Sequence, residues 1–397
     1  MVIEIRTKQE NQNIIKMRRI LISFVILFAS TATVFGQKDD NILPNWAMGG
    51  FVRPEGKNPV ISPDATYKIF CPMWNDSIAW EESDTFNPAA VVKDNKIYVL
   101  YRAEDNTHPA LGQRTSRIGL AESRDGITMK RRSTPVLAPE ADCYKEYEWR
   151  GGCEDPRVAV TEDGLYVMYY TGWNRNKARL CVATSRDLVN WEKHGLAFEK
   201  AYNGRFQHQA SKSASIVTSV KNGKQVITKV NGKYVMYWGE KWINVATSDD
   251  LINWTPQVDE KGNLKFIVTP RDGYFDSGLT ECGPPAVMTD KGILLLYNGK
   301  NRSDEKRDPR FNAGTYSAGQ ILFDKKDPYK VKERLDVPFF KPMADFEKSG
   351  QYRDGTVFIE GLAYFKNKWY LYYGCADSMV GVAIYDPAKK TPGDPVN

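Results

Sequence analysis

Histidine is nearly absent: the 397 residues hold three. None is spaced as a metal ligand or set beside a Ser or Cys in a nucleophile pattern, so neither chemistry is expected. Cysteine is scarce too, at 71, 143, 153, 181, 282 and 375, with no Cys-x-x-Cys spacing. That count is too sparse for a disulfide scaffold, although its even number permits pairs. A strong charge of one sign is also missing. Of the net +6, the first 36 residues supply +3 from five Lys/Arg against two Glu. The remaining charges are interspersed, which excludes a nucleic-acid partner. After residue 36 no apolar run is long enough to span a bilayer, so no membrane anchor is expected. No metal or other cofactor is called for, and oligomeric state is not legible.

The N-terminal stretch "KMRRILISFVILFASTATVFGQKDD" reads as a leader. Lys16, Arg18 and Arg19 precede an apolar run from Ile20 to Ala29, and Val34 and Gly36 precede a cut before Gln37. Residues 1–36 are therefore expected to be a secretory signal peptide, with Met17 as an alternative start that makes 1–16 an upstream extension. This predicts an exported protein, periplasmic or extracellular. Residues 37–85, rich in proline, read as an irregular lead-in packed on the main domain.

What is abundant is aromatic: 21 Tyr, 17 Phe and 10 Trp. Many sit in a repeat. "KIYVLYRAED", "GLYVMYYTGW", "GKYVMYWGEK", "GILLLYNGKN" and "KWYLYYGCAD" place matched cores at Tyr98, Tyr166, Tyr234, Leu294 and Tyr370. Each core follows a turn such as "KDNK" or "VNGK", and each turn follows a short apolar run. That is hairpin chemistry. Two further strands are near copies, "CVATSRDLVNW" and "NVATSDDLINW". Their Asp187 and Asp250 suit tight turns, and their Trp191 and Trp254 suit packing between sheets. A roughly four-stranded unit present five times predicts an all-β, five-bladed β-propeller over 86–397. Two β-sandwich domains are the alternative, disfavoured by the regular repeat and the absence of a linker.

In a propeller the innermost strands begin at one mouth of the central channel. Asn87 in "FNPAAV" and Asp155 in "CEDPRVAV" both lie 11 residues before their Tyr. Glu281, Glu360 and Lys212 take the corresponding places in the other units. The second strands return to the same mouth with Arg102, Glu104, Asp105, Tyr170, Trp173, Trp238, Glu240, Asn298, Lys300 and Asp377. Any one such carboxylate can simply cap a turn or pair with a neighbour such as Arg157. The convergence of acids and amides from all five units points instead to a polar pit suited to a carbohydrate. Paired carboxylates are the one chemistry in view, and glycosidic cleavage needs an acid on the leaving oxygen and a second group for the nucleophile. Asp155 is expected to be raised in pKa, and Glu154, its neighbour in a strand, to point away.

The segments "FNPAAV…LYRAED…GGCEDPRV…YYTGW…YWGE…DSGLTECGPPAV…YYGCADS" resemble glycoside hydrolase family 130 over about residues 50–390. That family groups inverting mannoside phosphorylases with a smaller set of β-mannosidases. The resemblance implies Asp155 as general acid and Asn87, Arg102, Asp276 and Asp377 as sugar contacts. Asp105, Arg157, Tyr170, Lys212 and Trp238 complete the expected binding set. The phosphorylases carry a His-Arg pair where this chain has Trp238 and Gly239, and small residues where it has Glu281. Glu240 and Glu281 would repel phosphate, by about 4 kcal/mol per unit charge at ~4 Å with an effective dielectric near 20. The resemblance therefore implies an exo-acting inverting hydrolase on a mannose-containing oligosaccharide, β-1,2-linked, with Glu281 or Glu240 activating water. The alternatives are a mannoside phosphorylase, an arabinan-type hydrolase and a non-catalytic glycan-binding propeller.

Overall fold

A computed structural model describes residues 43–109 and 112–389. The expected leader, residues 1–36, lies outside them. The described residues form 25 strands and almost no helix. The segment read as irregular lead-in carries a hairpin, β1 (Asp64–Cys71) and β2 (Asp76–Glu81).

The first large sheet contains β3 (Asp84–Lys93), β4 (Lys96–Glu104), β5 (Ser116–Ser123) and β6 (Lys130–Arg131). It continues through β7 (Gly152–Val160), β8 (Tyr166–Trp173), β9 (Ala178–Ser185) and β10 (Glu192–Leu196). The two halves join where β5 and β7 run parallel at Ser116 and Gly152. A second sheet holds β11 (Ala214–Lys221), β12 (Lys224–Ile227), β13 (Lys229–Val230), β14 (Lys233–Trp238), β15 (Ile243–Ser248), β16 (Thr255–Pro256) and β17 (Phe266–Val268). It continues as β18 (Leu279–Cys282), β19 (Ala286–Met288), β20 (Ile293–Lys300), β21 (Tyr316–Phe323) and β22 (Val331–Arg334), joined where β11 and β19 run parallel. The last sheet is β23 (Val357–Phe365), β24 (Lys368–Cys375) and β25 (Met379–Tyr385). Every other pairing between strands is antiparallel, so the curled sheets are propeller-like.

The turns follow their residues. Asp94–Asn95 and Lys366–Asn367 adopt positive φ, as a two-residue hairpin turn requires. Asp187 accepts backbone N–H bonds from Val189 and Asn190, and Asp250 from Ile252 and Asn253. Trp254 is buried edge-on against Tyr169, 5.7 Å between ring centres, in a cluster that links β7–β9 to β14–β15. The six cysteines are unpaired thiols.

The inner strands β3, β7 and β23 are buried nearly throughout, so their polar residues need a local device to reach solvent. That device is a β-bulge, one extra residue against a continuous partner. Phe86 pairs with Arg102 and Pro88 with Tyr101, leaving Asn87 extra. Glu154 pairs with Thr171 and Arg157 with Tyr169, so Asp155 and Pro156 share one partner position. Ile359 pairs with Tyr373 and Gly361 with Tyr372, leaving Glu360 extra. Asn87 and Asp155 hold φ of 45° and 48°, a conformation asparagine and aspartate tolerate better than most residues.

Candidate active site

The starts of the inner strands and the ends of their partners enclose a cavity of about 240 Å³. Its lining includes Asn87, Arg102, Asp155, Lys212, Glu240, Glu281 and Asp377. A larger hollow of about 400 Å³ opens at the opposite ends of the same strands, walled by Val91, Val158 and Leu362. Its carboxylates Asp94 and Glu162 are exposed and pair singly with Lys93 and Lys221, so the smaller pit is the candidate site.

Arg102 organises one wall. Its guanidinium donates to Asp155 Oδ1 at 3.0 Å, Glu154 Oε1 at 2.8 Å and Glu104 Oε1 at 2.6 Å. The Phe86 ring lies 4.6 Å from its centre. Asn87 Nδ2 donates to Asp155 Oδ1 at 2.9 Å. Two sequence expectations fail here. Glu154 does not point away, because the bulge breaks the strand alternation and turns both adjacent carboxylates onto Arg102. Asp155 is not raised in pKa: burial pushes its carboxyl up, but Lys212, Arg102, Arg157 and the Asn87 amide together hold it well below the usual range. Glu154 takes the opposite course. Burial, with the charge of Asp155, outweighs Arg102 and pushes it up to about 7. Asp377 is likewise pushed up to about 7 by burial against the pull of Arg102. Neighbouring carboxylates on one guanidinium titrate as a pair, so near neutrality this pair holds a proton.

Across the pit stands Lys212. Its ammonium lies 3.4 Å from Asp155 Oδ2 and 3.4 Å from Glu281 Oε1, so those two oxygens are at most twice that distance apart. Burial disfavours its charge, but Glu240, Glu281, Asp155 and Glu154 outweigh burial and keep it cationic. Glu281 sits in β18, 1 % exposed, and accepts the Ser213 hydroxyl. Burial raises its pKa against the pull of Lys212. Glu240 follows β14, is exposed, and forms a backbone bridge with Glu281, so the two glutamates are neighbours.

Five expected contacts fall elsewhere. Tyr170 alternates to the opposite face of β8 and donates to Glu148 at 2.8 Å inside the apolar core. Trp238 is buried against Phe198, 4.6 Å between ring centres, with its N–H on Asn244. Asp105 pairs with Arg117 at 2.8 Å. Asp276 is fully buried between Arg271, Arg334 and the Tyr297 hydroxyl. Arg157 lies beneath the floor, where it meets Glu360 at 2.8 Å and donates to the carbonyls of Asp155, Cys282 and Gly283. It holds Asp155 from behind rather than touching a ligand.

Other lining residues were missed: Phe86, Tyr316, Gln351, Tyr352 and Phe358, with Glu104 named at the mouth but not as a contact. Phe86 flanks the bulged Asn87 and Phe358 lies two residues before the bulged Glu360, a signal the repeat offered. Gln351 and Tyr352 lie in a connection with no repeat counterpart. Tyr352 is placed by its hydroxyl, which accepts from Lys300 Nζ at 2.9 Å, and its ring packs edge-on against Tyr316. Among the described residues no group of His, Cys, Asp and Glu is arranged to hold a metal ion.

This geometry can be set beside known proteins. Residues 68–389 match the glycoside hydrolase 130 family model, described as β-1,4-mannooligosaccharide phosphorylase. A 1,2-β-oligomannan phosphorylase from Thermoanaerobacter sp. (strain X514) is 35% identical over 314 residues, covering 77% of this chain and 91% of that protein. A β-1,2-mannobiose phosphorylase from the same strain is 31% identical, covering 78% and 92%. Among solved structures, a glycosyl hydrolase from Bacteroides ovatus is 62% identical with a TM-score of 0.88, covering 90% of this chain and 99% of that one. Another, reported under the statement that the GH130 family of mannoside phosphorylases contains glycoside hydrolases that target β-1,2 mannosidic linkages in Candida mannan, is 61% identical with a TM-score of 0.89 over 90% and 99%. Both the family model and these relatives span most of the sequence, and the chain belongs to glycoside hydrolase family 130, whose members process β-mannosides.

Proposed function

We propose that this protein is an exo-acting, inverting β-mannosidase that hydrolyses β-1,2-linked mannosides in the pit of a five-bladed propeller. The blades are β3–β6, β7–β10, β11–β17, β18–β22 and β23–β25. The observation that carries the reading is the neighbouring pair Glu240 and Glu281, set across Lys212 from Asp155. An inverting hydrolase needs a water between acid and base, with carboxyl groups about 6.5–9.5 Å apart, and the ceiling set by Lys212 meets the short end of that range. Asp155 delivers the proton, which it first takes from Glu154, its neighbour on Arg102 that burial has pushed up to about 7, because Lys212 and Arg102 hold its own carboxyl ionised. Glu281 takes the proton from water: burial has raised its basicity and Ser213 fixes its orientation. Glu240 orients the same water. Asn87, Arg102 and Asp377 hold the sugar hydroxyls.

Phosphorolysis is the second reading, favoured by what the curated relatives are called. Under it Arg102 and Lys212 would hold phosphate. Setting aside Glu154 and Asp377, which burial pushes up to about 7, four carboxylates, Glu104, Asp155, Glu240 and Glu281, still outnumber those two cations, which supports water over a second anion. The leader-like N-terminus supports export to the periplasm or beyond, where external glycans are met.

The test is incubation with β-mannobioses of each linkage, with and without phosphate. Free mannose formed without phosphate is expected from the β-1,2 isomer. Mannose 1-phosphate formed only when phosphate is present overturns hydrolysis. No turnover of any mannoside overturns both readings.

A further inference from the structure

Beside the pit, on the far side of Glu240, lies a second hollow of about 200 Å³. Lys212 and Glu240 line both spaces, so the two adjoin. Its outer wall is aromatic. Trp242 and Phe266 are each 40% exposed, with ring centres 5.2 Å apart and planes tilted by 42°. Lys241 Nζ sits 4.8 Å from the Trp242 ring. Exposed large aromatics are costly to leave in water, and two together beside a functional pit call for an occupant.

The shelf is fixed rather than loose. Gly239 has a φ of 126°, and a Cβ there would meet the Trp242 carbonyl at 2.2 Å. Its N–H reaches the carbonyls of Lys212 and Ser213, both at 3.1 Å. Trp242 leads directly into β15, and Phe266 opens β17, which pairs with β15. The same four-residue turn therefore presents Glu240 to the pit and Trp242 to the hollow.

We propose that the Trp242–Phe266 shelf is a distal sugar subsite, which stacks the C–H face of a neutral hexose in the chain leaving the pit. This rests on the β-mannosidase reading and deepens it: the substrate is an oligosaccharide longer than two sugars. Rings offer apolar faces to sugar C–H groups, while Lys212, Glu240 and Gln209 around them offer partners for hydroxyls. A second copy of the chain is a poorer occupant. Two rings beside a concave hollow fall well short of the ~800 Å² per partner of a stable interface.

The experiment uses the full chain and compares kcat/KM for β-1,2-mannotetraose with that for β-1,2-mannobiose. The tetraose-to-biose ratio should fall about tenfold in Trp242→Ala and in Phe266→Ala, and recover in Trp242→Phe. An unchanged ratio in the double alanine variant overturns the subsite. If the wild type turns over no mannoside, the hydrolase reading fails separately. Titration of mannotetraose, followed by tryptophan fluorescence and calorimetry, then decides: binding lost in Trp242→Ala supports the shelf, and equal binding or none at all overturns it. A wild-type dimer by light scattering that the double variant dissolves also overturns it, in favour of a chain–chain contact.

Discussion

At the scale of single residues, the pit divides labour among carboxylates through their surroundings. Asp155 is held ionised by cations, while Glu154 beside it is held near neutrality by burial and by the charge of Asp155. Asp155→Asn should keep the fold and lose most turnover. Glu154→Gln should also slow turnover, by about 10- to 100-fold, because it removes the proton partner on Arg102. Steady-state rates with melting curves separate that loss from misfolding. On the water side, Glu281→Gln should abolish hydrolysis while Glu240→Gln slows it less, since Glu281 is buried and oriented by the Ser213 hydroxyl. Azide should restore turnover in Glu281→Gln alone. Equal full activity in both variants would sink the hydrolytic roles.

The raised groups also set a pH dependence of stability. Burial pushes Glu154 and Asp377 up to about 7 in the folded protein, against ordinary values of 4.5 and 3.8. A carboxyl raised in the fold adds stability that is complete below its unfolded value and lost as pH climbs through the folded one. Thermal stability should therefore decline between about pH 4 and pH 7. The decline should be shallower in Glu154→Gln, as melting temperatures across that range would register.

At the scale of elements, the inner-strand starts were legible because hairpin repeats put Asn87, Asp155, Glu281 and Lys212 at matched places. The alternation of the partner strands was not. Tyr170, inside β8, and Trp238, at the end of β14, turn their side chains to the core because successive residues face opposite ways. Glu154 was misplaced for the converse reason: a bulge suspends that alternation and leaves little mark in composition. Asp276 and Asp105 were drawn into buried ion pairs that only tertiary neighbours define. Gly239 tests how far a turn controls chemistry. Gly239→Ala should cost about 1–3 kcal/mol in denaturant unfolding, from backbone strain at positive φ. It should also reduce turnover and long-chain preference together, because Glu240 and Trp242 move as one.

At the scale of the molecule, Arg157 ties three parts of the chain beneath the pit: Asp155 in β7, the Cys282–Gly283 segment and Glu360 in β23. Removing one partner of a buried pair strands the other. Arg157→Met should cost about 3–5 kcal/mol of stability, measured by chemical denaturation, and adding Glu360→Gln should return part of it. Full stability in the single variant would show that the tie is dispensable.

The ends of the described sheets meet at the same place. The Ser378 hydroxyl donates to Asp84 at 2.7 Å, and the Thr85 N–H to the Ser378 carbonyl at 3.1 Å. Asn87 and Asp377, close to this clasp in sequence, both line the pit. A ribosome makes Asn87 290 residues before Asp377. Under the proposed function the pocket is therefore assembled late: until the β24–β25 hairpin has emerged and clasped the first inner strand, a growing or clipped chain brings Asn87 to the pit without Asp377.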